Sequence, residues 1–215
     1  MGVIFNHLPI WAEAIGNTLI LFFGGAVLAL ILGTVVGAAR VSPIPVARVV
    51  GTVYVNTVRN TPLTLVFFFF AFGYPQLGLP AFNFLYLGIL ALGLYTATYV
   101  AEVLRSGINT VPVGQAEAAR AIGLPFSQVM GYVVLPQAFR SVVPPLMSVF
   151  IALLKNTTVA AGFSVAELGR IRAVMSEQGE NALVVLLWVA AIFVALVFLL
   201  SWLQRTLENR WRIAR

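Results

Sequence analysis

Residues 16–39 read GNTLILFFGGAVLALILGTVVGAA, a run without a formal charge. Coiled as an α-helix at 1.5 Å per residue, such a run reaches across the roughly 30 Å hydrocarbon core of a bilayer. The rest of the chain has the same character. Of 215 residues, 60% are hydrophobic and 9% charged, with a mean hydropathy of +0.98. An ordinary soluble domain carries about 25% charged residues. The expected class is an all-α membrane protein forming one transmembrane domain over residues 1–215.

Other uncharged runs supply further spans. Residues 60–101 carry no charge, too many for one crossing, and the segment Gly73-Tyr-Pro-Gln-Leu-Gly-Leu-Pro80 interrupts them with two prolines and two glycines. From Leu63 to that break the chain is only about half a membrane long, so the second span must begin earlier and take Arg59 inside. The spans are therefore expected at about 16–39, 49–72, 84–104, 141–162 and 181–204: five transmembrane helices, the second kinked at Pro62.

Nine arginines lie in the first and third loops and the tail: Arg40, Arg48, Arg105, Arg120, Arg140, Arg205, Arg210, Arg212 and Arg215. Only Arg170 and Arg172 face the other side, among Glu167, Glu177 and Glu180. The positive-inside bias then puts the N-terminus outside and the C-terminus in the cytoplasm. That placement explains the basic pI without nucleic acid. The first apolar run has no basic region before it, unlike a cleaved signal peptide. Cysteine and aspartate are absent and histidine occurs once, leaving no metal site and no catalytic dyad. His7 is assigned no role.

Gly25, Ala29, Gly33 and Gly37 recur every four residues in the first span, and Gly93, Ala97 and Ala101 in the third. Small residues let membrane helices approach closely, either within the chain, which is favoured, or across a dimer seam. The run Phe67–Phe70 faces lipid or core.

The cytoplasmic loop 105–137 carries the most specific pattern. Residues 114–122 favour a helix, Gly123 is placed to end it in the left-handed conformation, and Pro125 suits the start of a second short helix that Pro136 would close. An amphipathic hairpin resting on headgroups is one reading. Against it, the first helix is mostly alanine with one Glu and one Arg, which suits insertion into a groove of another protein.

Glu117-Ala118-Ala119, Gly123 four residues on, then Val133, Leu135 and Pro136 resemble the EAA loop of ATP-binding-cassette importer permeases. Tyr54–Leu65 (YVNTVRNTPLTL), Tyr99–Ile108 (YVAEVLRSGI), Gly114-Gln115 and Leu154–Val159 (LKNTTV) are similar to its polar amino-acid branch. The wording NTVRNTP is closest to actinobacterial glutamate permeases. The resemblance covers roughly residues 14–205. The loop after the second span is shorter than usual, and Val133 stands where isoleucine is customary.

The resemblance implies the fold of a type I importer permease and a role as half of the pathway for a polar amino acid, glutamate or a related acidic or amide amino acid. It further implies a pair of cytoplasmic ATPases, a second permease subunit (the same or homologous) and an extracytoplasmic solute-binding protein, in the cytoplasmic membrane of a prokaryote. Glu117, Ala118, Ala119, Arg120, Gly123, Leu135 and Pro136 would then couple to the ATPase. The chain has no Gly-x-x-x-x-Gly-Lys-Ser/Thr loop. It is therefore not expected to be an enzyme or to hold a cofactor, ATP being bound by the partner.

For the substrate path the candidates are Arg59, Asn60, Thr61, Glu102, Lys155, Asn156, Thr157 and Thr158. Arg59 falls about 14 Å and Lys155 about 21 Å from the cytoplasmic ends of their spans, and ionised groups at such depth pair or face water. A structural pair, Arg59–Glu102, and a ligand role are both open. Tyr54, Asn56, Thr57, Tyr95, Thr96 and Tyr99 are secondary candidates, each equally consistent with a bond to a neighbouring backbone. The outer loop 163–180 is either a contact for the binding protein or a plain connection. Two rival functions remain. An ion-coupled secondary carrier lacks its two inverted halves here, and a non-transporting membrane scaffold would use the basic loop only to recruit a partner.

Overall fold

The computed structural model describes residues 2–211. Arg212 and Arg215, counted above in the basic tail, lie outside the described residues. After a helical turn at Gly2–Phe5, helix α1 runs from Leu8 to Val41. It starts two turns before the expected span because Pro9 suits a first turn and Trp11 and Ala14 find a buried site there.

The second expected span is not one kinked helix. Helix α2 (Pro45–Arg59) stops, residues 60–62 turn, and α3 (Leu63–Phe68) restarts and runs on through wider and then tighter turns to Leu77. Pro62 has no N–H and disfavours helical geometry at Thr61, so the chain breaks there. Thr61 and Asn60 turn their side chains back onto the carbonyls of Thr57 and Asn56, at 2.8 and 2.7 Å. Carbonyls freed by the break thereby gain donors. Four helical stretches are long and apolar enough to cross a bilayer (Leu8–Val41, Phe84–Ile108, Phe126–Phe163 and Ala182–Asn209), and Leu63–Leu77 is a shorter apolar one.

Helix α4 (Phe84–Ile108) is capped by Asn83, whose Oδ1 accepts the N–H of Leu85 at 3.0 Å. Helix α5 (Val113–Ala121) ends as its sequence foretold: Gly123 has φ +88°, and Leu124 N–H returns to the Ala119 carbonyl at 3.1 Å. The chain then coils from Phe126 through a widened turn at Val129–Val134 straight into α6 (Leu135–Asn156). Pro136 therefore closes nothing, contrary to expectation. It sits in the first turn of α6, and the widened turn before it accommodates a residue with no N–H to give. A tight helical stretch (Thr157–Phe163), the short α7 (Ile171–Glu177) and the long α8 (Ala182–Trp211) complete the chain.

The frame is the α1–α4 pair. The glycine and alanine stripes meet within the chain. A Cβ on Gly25 would lie 3.3 Å from Leu92, one on Gly37 3.3 Å from the Ala101 carbonyl, and one on Gly33 2.6 Å from Val100. The core above this seam includes Leu21, Phe67, Phe70, Leu87, Leu92 and Leu153. Phe67 and Phe70 thus point inward while Phe68 and Phe69 are exposed. A second cluster of Trp11, Leu168, Ile171, Met175 and Val185 closes the end where α1 begins. Along α8, Leu187, Val194, Phe198, Leu199 and Trp202 are left exposed, as suits a surface against lipid.

Candidate functional site

The break after Arg59 positions the first group of functional side chains. Arg59 is the last residue of α2, and its guanidinium lies over the Tyr99 ring of α4, 5.5 Å from the centroid. This is a cation–π contact, which gains strength away from water. One turn earlier on α4, the Tyr95 hydroxyl meets that of Tyr99 at 3.0 Å. Beside these tyrosines is a cavity of about 440 Å³ between α4 and α6, lined by Tyr95, Thr96, Tyr99, Ser148, Val149, Ala152, Leu153 and Asn156. Its polar groups are hydroxyls and one amide, and the Tyr99 ring that lines it also carries the Arg59 guanidinium. Such donors suit a carboxylate or an amide. Tyr54 is not part of it, because its hydroxyl donates to the Leu94 carbonyl at 2.6 Å and ties α2 to α4.

The remaining path candidates divide. Glu102 does not pair with Arg59 or with Lys155. It bridges Arg40 of α1 and Arg105 one turn along α4. The pairing Arg59–Glu102 is thereby corrected: Arg40 and Arg105 reach the carboxylate, while Arg59 ends α2 against an aromatic ring. Residues 155–158 do not form one lining either. Asn156 faces the tyrosine cavity. Lys155 and Thr158 line a separate groove of about 650 Å³ against α8, with Phe193, Val197, Phe198, Ser201 and Arg205. Thr157 is fully buried and donates to the Leu154 carbonyl at 2.7 Å. Successive residues of a helix point about 100° apart, so four neighbours cannot share one wall. Ser148, two turns before Lys155, joins the cavity without any motif to announce it.

The second group is the loop hairpin. Ala119 is buried against Val129 and Val134, whereas Glu117, Ala118, Arg120 and Gly123 face outward. Leu135 and Pro136 are exposed at the start of α6. Val113, Ile122, Phe126 and Tyr132 are each 69–79% exposed. These large apolar side chains were not among the residues expected to make the contact, which were the alanines with Glu117 and Arg120. Exposed together with Glu117 and Arg120, they give the hairpin the mixture of apolar and charged side chains found at protein contacts. The hairpin is tied to the helices through Thr110, whose hydroxyl donates to the Gly107 carbonyl at 2.7 Å and lies 3.1 Å from Ser141 Oγ. Gln137 reaches Gln115 across it. Among the described residues no cluster of three or more His, Cys, Asp or Glu could hold a metal ion.

Comparison with known proteins sets this geometry in context. Residues 29–213 match the family described as "Binding-protein-dependent transport system inner membrane component". The chain is 48% identical over 179 residues to the glutamate transport system permease protein GluC of Corynebacterium efficiens, covering 78% of this chain and 77% of that one. It is 44% identical to GluC of Corynebacterium glutamicum, covering 86% of each. A probable glutamine ABC transporter permease, GlnP of Bacillus subtilis, is 34% identical over 95% of each chain. Among solved structures, an amino acid ABC transporter crystallised with histidines superposes with a TM-score of 0.90 at 28% identity, covering 96% of each chain. The MetNI methionine ABC transporter shares the fold, with a TM-score of 0.76 at 20% identity over 96% of this chain and 98% of that one.

Proposed function

This chain belongs to the family of binding-protein-dependent transport system inner membrane components, as an amino-acid ABC importer permease, and on that premise we propose that it carries glutamate or a related acidic or amide amino acid. It forms half of the translocation pathway and works with a second permease subunit, two cytoplasmic ATPases and an extracytoplasmic binding protein. The chain crosses the cytoplasmic membrane of a prokaryote five times, α2 and α3 together making the second crossing. Its N-terminus is outside and its C-terminus inside. It binds no cofactor itself. ATP is held by the ATPases, whose closure is passed to the spans through Glu117, Ala118, Ala119, Arg120, Gly123, Leu135 and Pro136.

The observation that carries the substrate assignment is the guanidinium of Arg59 poised over Tyr99, beside a cavity of hydroxyls and the Asn156 amide. A cation beside hydrogen-bond donors favours an anionic or amide side chain over a basic one. The names of the GluC relatives point the same way. Asn60 and Thr61 set the break that holds Arg59, and Lys155 with Thr158 places a second cation in the separate groove against α8.

The test is uptake into proteoliposomes containing the permease, its ATPase and its binding protein. Labelled glutamate should enter only with ATP, Lys155→Ala should abolish uptake while the complex still assembles, and Glu117→Ala should separate hydrolysis from uptake. Uptake without ATP that collapses with an ion gradient would identify a secondary carrier. Hydrolysis indifferent to the loaded binding protein would identify a scaffold. Exclusive uptake of a basic amino acid would overturn the substrate assignment alone.

A further inference from the structure

At the end of the bundle where α1 begins, the segment between residues 163 and 171 holds an acid that nothing above uses. Glu167 is 1% exposed, and neither carboxylate oxygen has a hydrogen-bond partner. The segment around it is firmly held. The Leu168 N–H donates to buried Thr18 at 3.1 Å, and Asn17 Nδ2 donates to the Ala166 carbonyl at 2.8 Å. Gly169 leaves room for the carboxyl, since a Cβ there would lie 2.5 Å from Glu167 Oε1.

The carboxylate oxygens are themselves covered, but the residue borders open space. It lines a cavity of about 180 Å³ together with Glu13, Ile10 and Ala14 of α1, Arg170, and Ile171 of α7. Glu13 is exposed at the rim and Arg170 half-exposed. They are the only other charged groups lining the cavity, and no ion pair joins Arg170 to either acid among the described residues. On the same end, His7, the residue before α1, lies 3.2 Å from a Glu180 carboxylate oxygen.

A buried carboxylate without a partner is costly, so it takes up a proton or finds a cation. Burial raises the Glu167 carboxyl to about 7. The N–H groups of Gly169 and Arg170 offset this in part without completing a hydrogen bond. A purely structural role would be served as well by an amide or an apolar side chain. The open cavity, with a second acid at its mouth, gives the charged form somewhere to meet a partner.

We infer that Glu167 and Glu13 form a socket for a lysine or arginine side chain presented by the extracytoplasmic binding protein when it docks. This rests on the proposed orientation, which puts this end of the bundle outside. The residue entering the socket displaces Arg170 toward solvent and stabilises the ionised carboxyl, so docking carries proton release with it.

The test uses the permease with its ATPase in nanodiscs and the substrate-loaded binding protein that supports its uptake. At pH 8, Glu167→Gln should weaken docking about tenfold or more, as loss of one charge from a buried pair does. Basal ATPase activity should be unchanged. Wild-type docking should weaken as the pH is lowered from 8 to 6, and docking of the variant should not respond. Glu167→Asp should restore part of the affinity. Equal docking of Glu167→Gln and wild type at pH 8 would overturn the socket. So would Arg170→Gln reproducing the loss, since Arg170 would then be the acid's own partner. Failure of the wild-type complex to dock any binding protein would refute the underlying transport assignment instead.

Discussion

Replacing Gly33 by alanine tests the α1–α4 seam on which every other position depends. The added Cβ would sit 2.6 Å from Val100 Cβ and Cγ1 and 2.9 Å from the Ala97 carbonyl oxygen. Ordinary carbon contacts lie at about 3.5–4.0 Å, so the helices must part by about 1 Å. One of the obstructing atoms is backbone, which a rotamer change cannot move aside. Overpacking of this kind costs about 1–3 kcal/mol, against which alanine regains about 1 kcal/mol of helix propensity. Gly16 on the same helix is the control, since a Cβ there meets nothing within 4 Å. Gly16→Ala should be neutral or slightly stabilising, and Gly33→Ala should be destabilised relative to it by about 1–3 kcal/mol. Unfolding in mixed micelles titrated with a denaturing detergent gives both values. Val100→Ala in the Gly33→Ala background should recover only part of the loss, because the Cβ at position 100 and the Ala97 carbonyl both remain. Equal stability of the two single variants would refute the packing argument.

Other consequences are open to measurement. Glu102→Gln leaves Arg40, 9% exposed at its side chain, without its counter-charge, and should destabilise the protein by about 2 kcal/mol or more. The same unfolding assay should show Arg59→Gln losing only its cation–π contact, about 0.5–1 kcal/mol, whereas a strut between Arg59 and Glu102 would make the two variants alike. Arg59→Lys keeps the charge but loses the planar group over Tyr99, and should raise the KM for glutamate uptake more than it lowers the maximal rate; an unchanged KM would remove Arg59 from the binding surface. For Glu167, a carboxyl raised from 4.5 to about 7 in the folded chain stays protonated there after the unfolded chain has ionised. Its contribution is complete below pH 4.5 and lost as pH rises to about 7. Glu167→Gln should lack this fall and exceed the wild type by up to about 3 kcal/mol at pH 8 relative to pH 4. Parallel stability profiles of the two proteins would refute it.

The helical membrane class, the α1 and α4 stripes and the Gly123 cap could all be read from the chain, because each depends on neighbours in sequence. Uncharged length fixes a helix in lipid, small residues four apart fall on one face, and a glycine at a helix end takes the left-handed turn whatever packs beyond it. The pattern from Glu117 to Pro136 likewise carried the family. Local rules failed where two of them competed. Pro62 stopped a helix that hydropathy would have continued, and Pro136 began one that its identity suggested it would end.

Pairing of charges and sharing of a cavity wall lay beyond any local rule. By depth alone Glu102 was open to Arg59 or Lys155, and only the approach of α1 to α4 chose Arg40. Likewise, the turn between Asn156 and Lys155 sent adjacent residues into different grooves. The burial of Glu167 depended on α1 and α7 closing over a loop that reads as solvated. Sequence by itself determined which segments leave water, since that follows from the composition of each segment. Tertiary structure decided which polar groups meet, because a few ångströms between separate helices govern electrostatics and hydrogen bonding, and no residue carries that distance in its own identity.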